Sequence, residues 1–213
     1  MSKTTHTSFL GDKLNHAVEN NRLNTIQNYN VGIKVYPPHV ELRMRSDIAS
    51  YHRFKKDITL VKFDVTKVFF QYLDQHTNQR EIQTLEKAFL SNSDGQGTAK
   101  LQKVMQFIEY DIFGDVLQNK HSFPTYLADK AHAEFKRASN KQVPCSLWLY
   151  GVGTLYPALR PSSLLRYIHS ILQWEYQDKL SILLFYPGHY DNGLHFMSQL
   201  SSDNDYRPKI YEG

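Results

Sequence analysis

The residues of this chain best suited to chemistry cluster in its last third. His189, Asp191 and His195 lie around one turn and offer two imidazoles and a carboxylate, a donor set that suits a transition metal. Their spacing matches no known ligand motif, and with ten histidines scattered over the chain a grouping of this size arises by chance. Asp191 has a simpler use in tightening its turn, because a short carboxylate bonds to nearby backbone amides. Gly151-Val152-Gly153 follows an apolar run, as a phosphate-cradling loop does. A dinucleotide fingerprint, however, requires a third glycine where Tyr156 stands, and no G-x-x-x-x-G-K-[ST] loop is present. These glycines are expected to serve a turn that needs positive φ, and Gly188 of the Pro187-Gly188 pair is expected to serve a second turn. Ser162, Cys145 and the histidines supply the atoms of a hydrolytic triad without the G-x-S-x-G elbow that would expose a nucleophile. Ser162 is better placed to cap a helix.

Arg160, between Leu159 and Pro161, presents a permanently charged fork of five donors. It would serve a carboxylate, phosphate or partner backbone, or equally an internal pairing with Asp191 that fixes two turns together. Basic and aromatic residues interleave at Arg166-Tyr167, Tyr206-Arg207 and Lys209-Ile210-Tyr211, a pattern able to stack on single-stranded bases. At a sheet edge the same residues guard against aggregation, and that reading is preferred.

The elements that must position these groups alternate between strand and helix. Val31–Tyr36 is β-branched and alternating, and Pro37-Pro38 ends it. Pro38 then opens a helix over Glu41–Phe54 with Leu42, Ile48 and Tyr51 inward. Ile58–Phe63 is a second strand, after which Asp64 caps a helix bearing Val65, Val68, Phe69, Tyr72 and Leu73 at helical spacing. Before these, Phe9–Asn28 reads as a polar helix with sparse apolar positions, Leu10, Leu14, Ala17 and Leu23, lying across the surface. Helical patterns over Glu81–Leu90, Thr98–Gln118 and Pro124–Ser139 follow, with Phe123 as an entry contact for the last. Strand character returns at Cys145–Tyr150 and, after a helix over Ser162–Trp174, at Leu180–Tyr186. That last strand is apolar throughout and therefore central. The tail, Leu194–Leu200 and Tyr206–Tyr211, makes two short antiparallel or edge strands.

The fold class expected is α/β. It has three layers, a mostly parallel sheet flanked by helices, and a helical insertion, about residues 81–140, between the N-terminal and C-terminal halves of the sheet. All 213 residues form one domain. With 41% hydrophobic and 22% charged residues the composition is that of a globular domain. The single cysteine, Cys145, excludes an internal disulfide and reads as a buried structural thiol. No apolar stretch reaches membrane-spanning length, so no membrane association and a cytoplasmic location are expected. The net charge of +4 is dispersed among acids and gives only slight support for nucleic-acid contact.

The chain resembles the BrxB family of bacteriophage-exclusion (BREX) defence clusters. The resemblance runs from the Tyr36-Pro37-Pro38 junction through ITLVKFDV and is densest from Leu147 to Arg207. There the chain supplies Gly151, Gly153, Tyr156, Pro157, Leu159, Arg160, Leu164, Leu165, Pro187, Gly188, Tyr190, Asp191, Asn204, Tyr206 and Arg207 of the family pattern. It departs from that pattern at Pro161-Ser162, where the family has Ser-His, at Asn192 in place of glycine, and at Asp205 in place of tyrosine. The resemblance implies a non-enzymatic accessory or adaptor without cofactor or metal. Such a protein would bind a PglZ-like component and support a complex containing a DNA methyltransferase and a large ATPase. Arg160, Tyr190, Asp191 and Arg207 are the candidate partner-binding or edge-structuring residues, and Gly151, Gly153 and Gly188 the turn glycines. Two alternatives are a nucleic-acid-binding accessory, with weak or indirect DNA contact, and a degenerate nucleotide-binding protein.

Overall fold

Alternation in Val31–Tyr36 makes strand β1, with Val31, Ile33 and Val35 in one core and Tyr36 in another across the sheet. The structure, a computed structural model, describes residues 9–24, 30–52, 58–76, 122–138, 143–155, 161–176, 179–190, 194–196, 200–201 and 209–212. Its strands are β1, β2 (Thr59–Asp64), β3 (Cys145–Tyr150), β4 (Leu180–Tyr190), β5 (Leu194–Phe196), β6 (Leu200–Ser201) and β7 (Lys209–Tyr211). Its α-helices are α1 (Asp12–Glu19), α2 (Glu41–Ser50), α3 (Val65–His76), α4 (Phe123–Ala138) and α5 (Pro161–Tyr176). Five strands run parallel in the order β2-β3-β4-β1-β7, while β5 pairs antiparallel with β4, and β6 with β5.

Helices cover both faces, so the three-layer α/β architecture is present. On the first face α3, α4 and α5 pack Val68, Phe69, Leu127, Ala131, Leu164 and Ile168 against Val31, Ile33, Leu147, Leu149, Ile182 and Leu184. On the second face Leu14 and Val18 of α1 and Met44 and Ile48 of α2 meet Tyr36, Trp148, Leu183 and Phe185. Tyr51 stacks on Trp148 at 4.9 Å. Strand β4 lies between β3 and β1 and is buried from Leu180 to Gly188, the central position its unbroken apolar run anticipates. Each large apolar side chain buried there contributes about 1.5–3 kcal/mol.

Several expectations change in the folded chain. Helix α1 is short, and Leu10, Leu14 and Leu23 are at most 2% exposed, so this segment builds the second core rather than lying on the surface. It stops where Asn21 takes φ 51°, with Asn21 N donating to Val18 O and Arg22 N to Ala17 O. Leu42, expected inward, is 82% exposed. Six residues from Ile48 it falls on the far side of α2, whereas Met44, one turn away, takes the core position. Helix α5 opens on Pro161, so Ser162 sits within its first turn instead of capping it. The Pro187-Gly188 pair is no turn, because β4 continues to Tyr190 and Pro187 pairs with Tyr36. The tail strand β7 joins the edge parallel to β1. Residues 81–121 of the insertion lie outside the described residues. Helix α4, at its end, packs its apolar stripe into the first core, with Phe123 buried against Phe69 at 5.1 Å. Cys145 is buried, as expected.

Burial holds His169 of α5, 8% exposed, below its ordinary pKa. A depressed folded value means that the unfolded chain binds the proton more tightly, so this contribution to stability is intact above the unfolded value of 6.5 and is lost as pH falls through the folded value. Urea unfolding is expected to show lower stability at about pH 5 than at about pH 8. His169→Gln should remove part of that slope, as measured by the two midpoints.

Candidate functional site at the carboxyl edge of the sheet

The carboxyl ends of strands on either side of β4 send the chain to opposite faces. From β1 it turns onto the second face through α2, whereas from β2 and β3 it turns onto the first through α3 and α5. In open α/β sheets that divergence leaves the crevice in which ligands and partners bind. Here polar side chains come together from five elements.

Asp64 ends β2 and is 8% exposed. One of its oxygens receives Arg45 Nη2 of α2 at 2.6 Å, and the other receives the backbone amide of Lys67 at 3.4 Å, the helix cap anticipated from sequence. Burial works against the charge on Arg45. The hydrogen bond and charge of Asp64, with Glu41 added, more than offset it and hold the guanidinium above its usual value. Tyr36, at the end of β1, donates its hydroxyl to Glu41. Its pKa is pushed far up by burial, and further by that bond and charge. Tyr150 ends β3 within the same field, raised by burial and by Asp64 and drawn back by Arg45. Thr66 Oγ1 donates to Gly151 O at 2.5 Å, tying α3 to the turn after β3.

Of the three glycines singled out by sequence, only Gly151 has positive φ, at 73°. A Cβ there would stand 2.7 Å from Asp64 Oδ1 and 3.2 Å from Thr66 Oγ1, so this turn abuts the ion pair. Gly153 lies in a short 3-10 helix, Val152–Leu155, and Gly188 lies inside β4 opposite Phe196. Neither takes the turn role expected of it. Tyr190 closes β4 at the same edge and is 43% exposed. Arg160, Asp191 and Arg207 lie outside the described residues. The hairpin register sets His189 opposite His195. No group of three or more metal-ligating side chains occurs among the described residues, and none of their helices is long and apolar enough to cross a membrane.

Sequence reasoning missed Arg45, Glu41 and the tyrosines Tyr36 and Tyr150. The available signal was weak: Arg45 lies one turn beyond Glu41, on the helix following a strand that ends in tyrosine. Its partner Asp64 is 19 residues away, across a whole strand crossover.

A model of the family described as BREX protein BrxB matches residues 61–210, well over half of the chain. No curated protein and no solved structure matches it.

Replacing Arg45 with Ala would leave Asp64 buried without its counter-charge, at an expected cost of about 3 kcal/mol. Gly151→Ala would combine left-handed strain with a backbone shift away from Asp64, at about 2 kcal/mol or more. Gly153→Ala, free of positive φ, should cost less than Gly151→Ala. Denaturant midpoints of the three variants check this order.

Proposed function

The chain belongs to the BrxB family and is thus a component of a BREX phage-defence system; from that premise we propose that it acts there as a non-enzymatic adaptor. It binds the PglZ-like component through the carboxyl edge of its sheet and supports assembly of the methylation and phage-exclusion complex in the cytoplasm. The observation that carries the docking reading is how the ionisable groups at that edge are used. Arg45 is bonded to Asp64 and Tyr36 to Glu41, so these groups fix the crevice's shape. Leu42 at the start of α2 and Tyr190 at the end of β4 stay exposed. Exposed apolar and aromatic anchors beside a rigid polar frame suit a protein interface. Arg160, Asp191 and Arg207 are proposed to belong to the same surface.

Tagged protein purified from cells carrying the intact gene cluster is expected to bring down the PglZ-like component. Tyr190→Ala and Leu42→Ser should reduce its recovery at least severalfold while leaving the circular dichroism spectrum unchanged. Failure to recover any BREX component with tags at either end would overturn the adaptor reading. Salt-sensitive DNA binding by the isolated protein would favour the nucleic-acid reading instead.

A further inference from the structure

Strand pairing at the end of β4 brings together two histidines from successive strands. Strands β4 and β5 are antiparallel there, with Gly188 opposite Phe196, His189 opposite His195 and Tyr190 opposite Leu194. Directly opposed residues share one face of a hairpin and have Cβ atoms about 4.5–5.5 Å apart. A slip of one residue would put the two histidines on opposite faces, so the observed register is what pairs them.

Two opposed imidazoles have the chemistry of a metal chelate. Imidazole suits zinc, copper and nickel, and two nitrogens bound to one tetrahedral zinc ion at about 2.1 Å stand about 3.4 Å apart. Rings rooted about 5 Å apart on facing strands can converge on that spacing. His189 is exposed, which gives an ion access from solvent. The local charge also suits a cation. Residues 180–206 include Asp191, Asp203 and Asp205 and contain no lysine or arginine, although the whole chain carries +4.

We propose that His189 and His195 hold one divalent transition-metal ion, zinc being the probe of choice, as a staple across this hairpin. Two protein ligands leave the remaining coordination positions to water, in keeping with the lack of any larger ligand group among the described residues. The ion ties β5, a strand of only three residues, to the end of β4. It stabilises the hairpin because the unfolded chain does not hold the two imidazoles together. Linear spacing matches no ligand motif, and the register alone creates the site. A staple of this kind performs no reaction, and it stands whether or not the chain is an adaptor. Tyr190 follows His189 on β4, so the ion also steadies the exposed aromatic residue next to it.

Calorimetric titration of the metal-free, full-length protein with zinc chloride is expected to show uptake of one ion per chain at this site. His189→Ala and His195→Ala should each weaken that binding about tenfold or more. The double variant should bind no more weakly than either single one, because a chelate is lost with the first of its ligands. His39→Ala, an exposed histidine ahead of α2, should leave the binding unchanged. One equivalent of copper(II) on the wild type should give an electron paramagnetic resonance spectrum with hyperfine structure from two imidazole nitrogens, a readout that needs no variant to fold. A spectrum showing a single nitrogen would overturn the proposal. So would losses that add in the double variant, as for two separate histidines, or no uptake at about 1 mM zinc, where even a millimolar site is half filled.

Discussion

Two charged links between α2 and β2 set the geometry on which the carboxyl edge depends. Helix α2 buries only Met44 and Ile48, too little apolar surface to fix its position on the sheet by itself. Arg45 reaches Asp64 from midway along the helix, and Lys62 reaches the carbonyls at its C-terminal end. The second link also satisfies orphan carbonyls of the helix terminus, where a cation is favoured by the helix dipole. Burial holds Lys62 below its ordinary pKa, so the three bonds sustain its charge against desolvation. Because Lys62 and Asp64 are two residues apart on β2, both lie on the second face and act on one helix.

The consequences spread from that pairing. Held by Arg45, Asp64 also caps α3 and stands against Gly151, whose left-handed backbone keeps the turn after β3 clear of a Cβ. Thr66 closes the arrangement from α3. An edge of fixed shape loses little conformational entropy when something docks on it.

Much of the fold was legible along the chain because local rules and tertiary demands agree. Val31–Tyr36 and Cys145–Tyr150 form strands with the boundaries their residues suggest, and the apolar run from Leu180 is central because only a strand covered on both faces tolerates it. Where the reading failed, a tertiary term won. Pro187-Gly188 has a turn's composition yet continues β4, since its neighbour β1 ends opposite Pro187 at Tyr36 and β5 takes over pairing from Gly188. Leu10, Leu14 and Leu23 are too few to look like a core stripe, and they are buried because the second face of the sheet has Trp148, Leu183 and Phe185 to cover. Leu42 has an interior residue's chemistry and an exterior phase.

Composition, periodicity and short local motifs are enough for the α/β class, the identity of most strands and the helix cap at Asp64, while the family rests on a resemblance of motifs. Which strands are neighbours, that Arg45 meets Asp64 and that Lys62 turns into a helix end emerge in the folded chain alone. Those pairings join groups separated by crossovers, and a buried charge selects its partner by position in space, which local spacing does not encode.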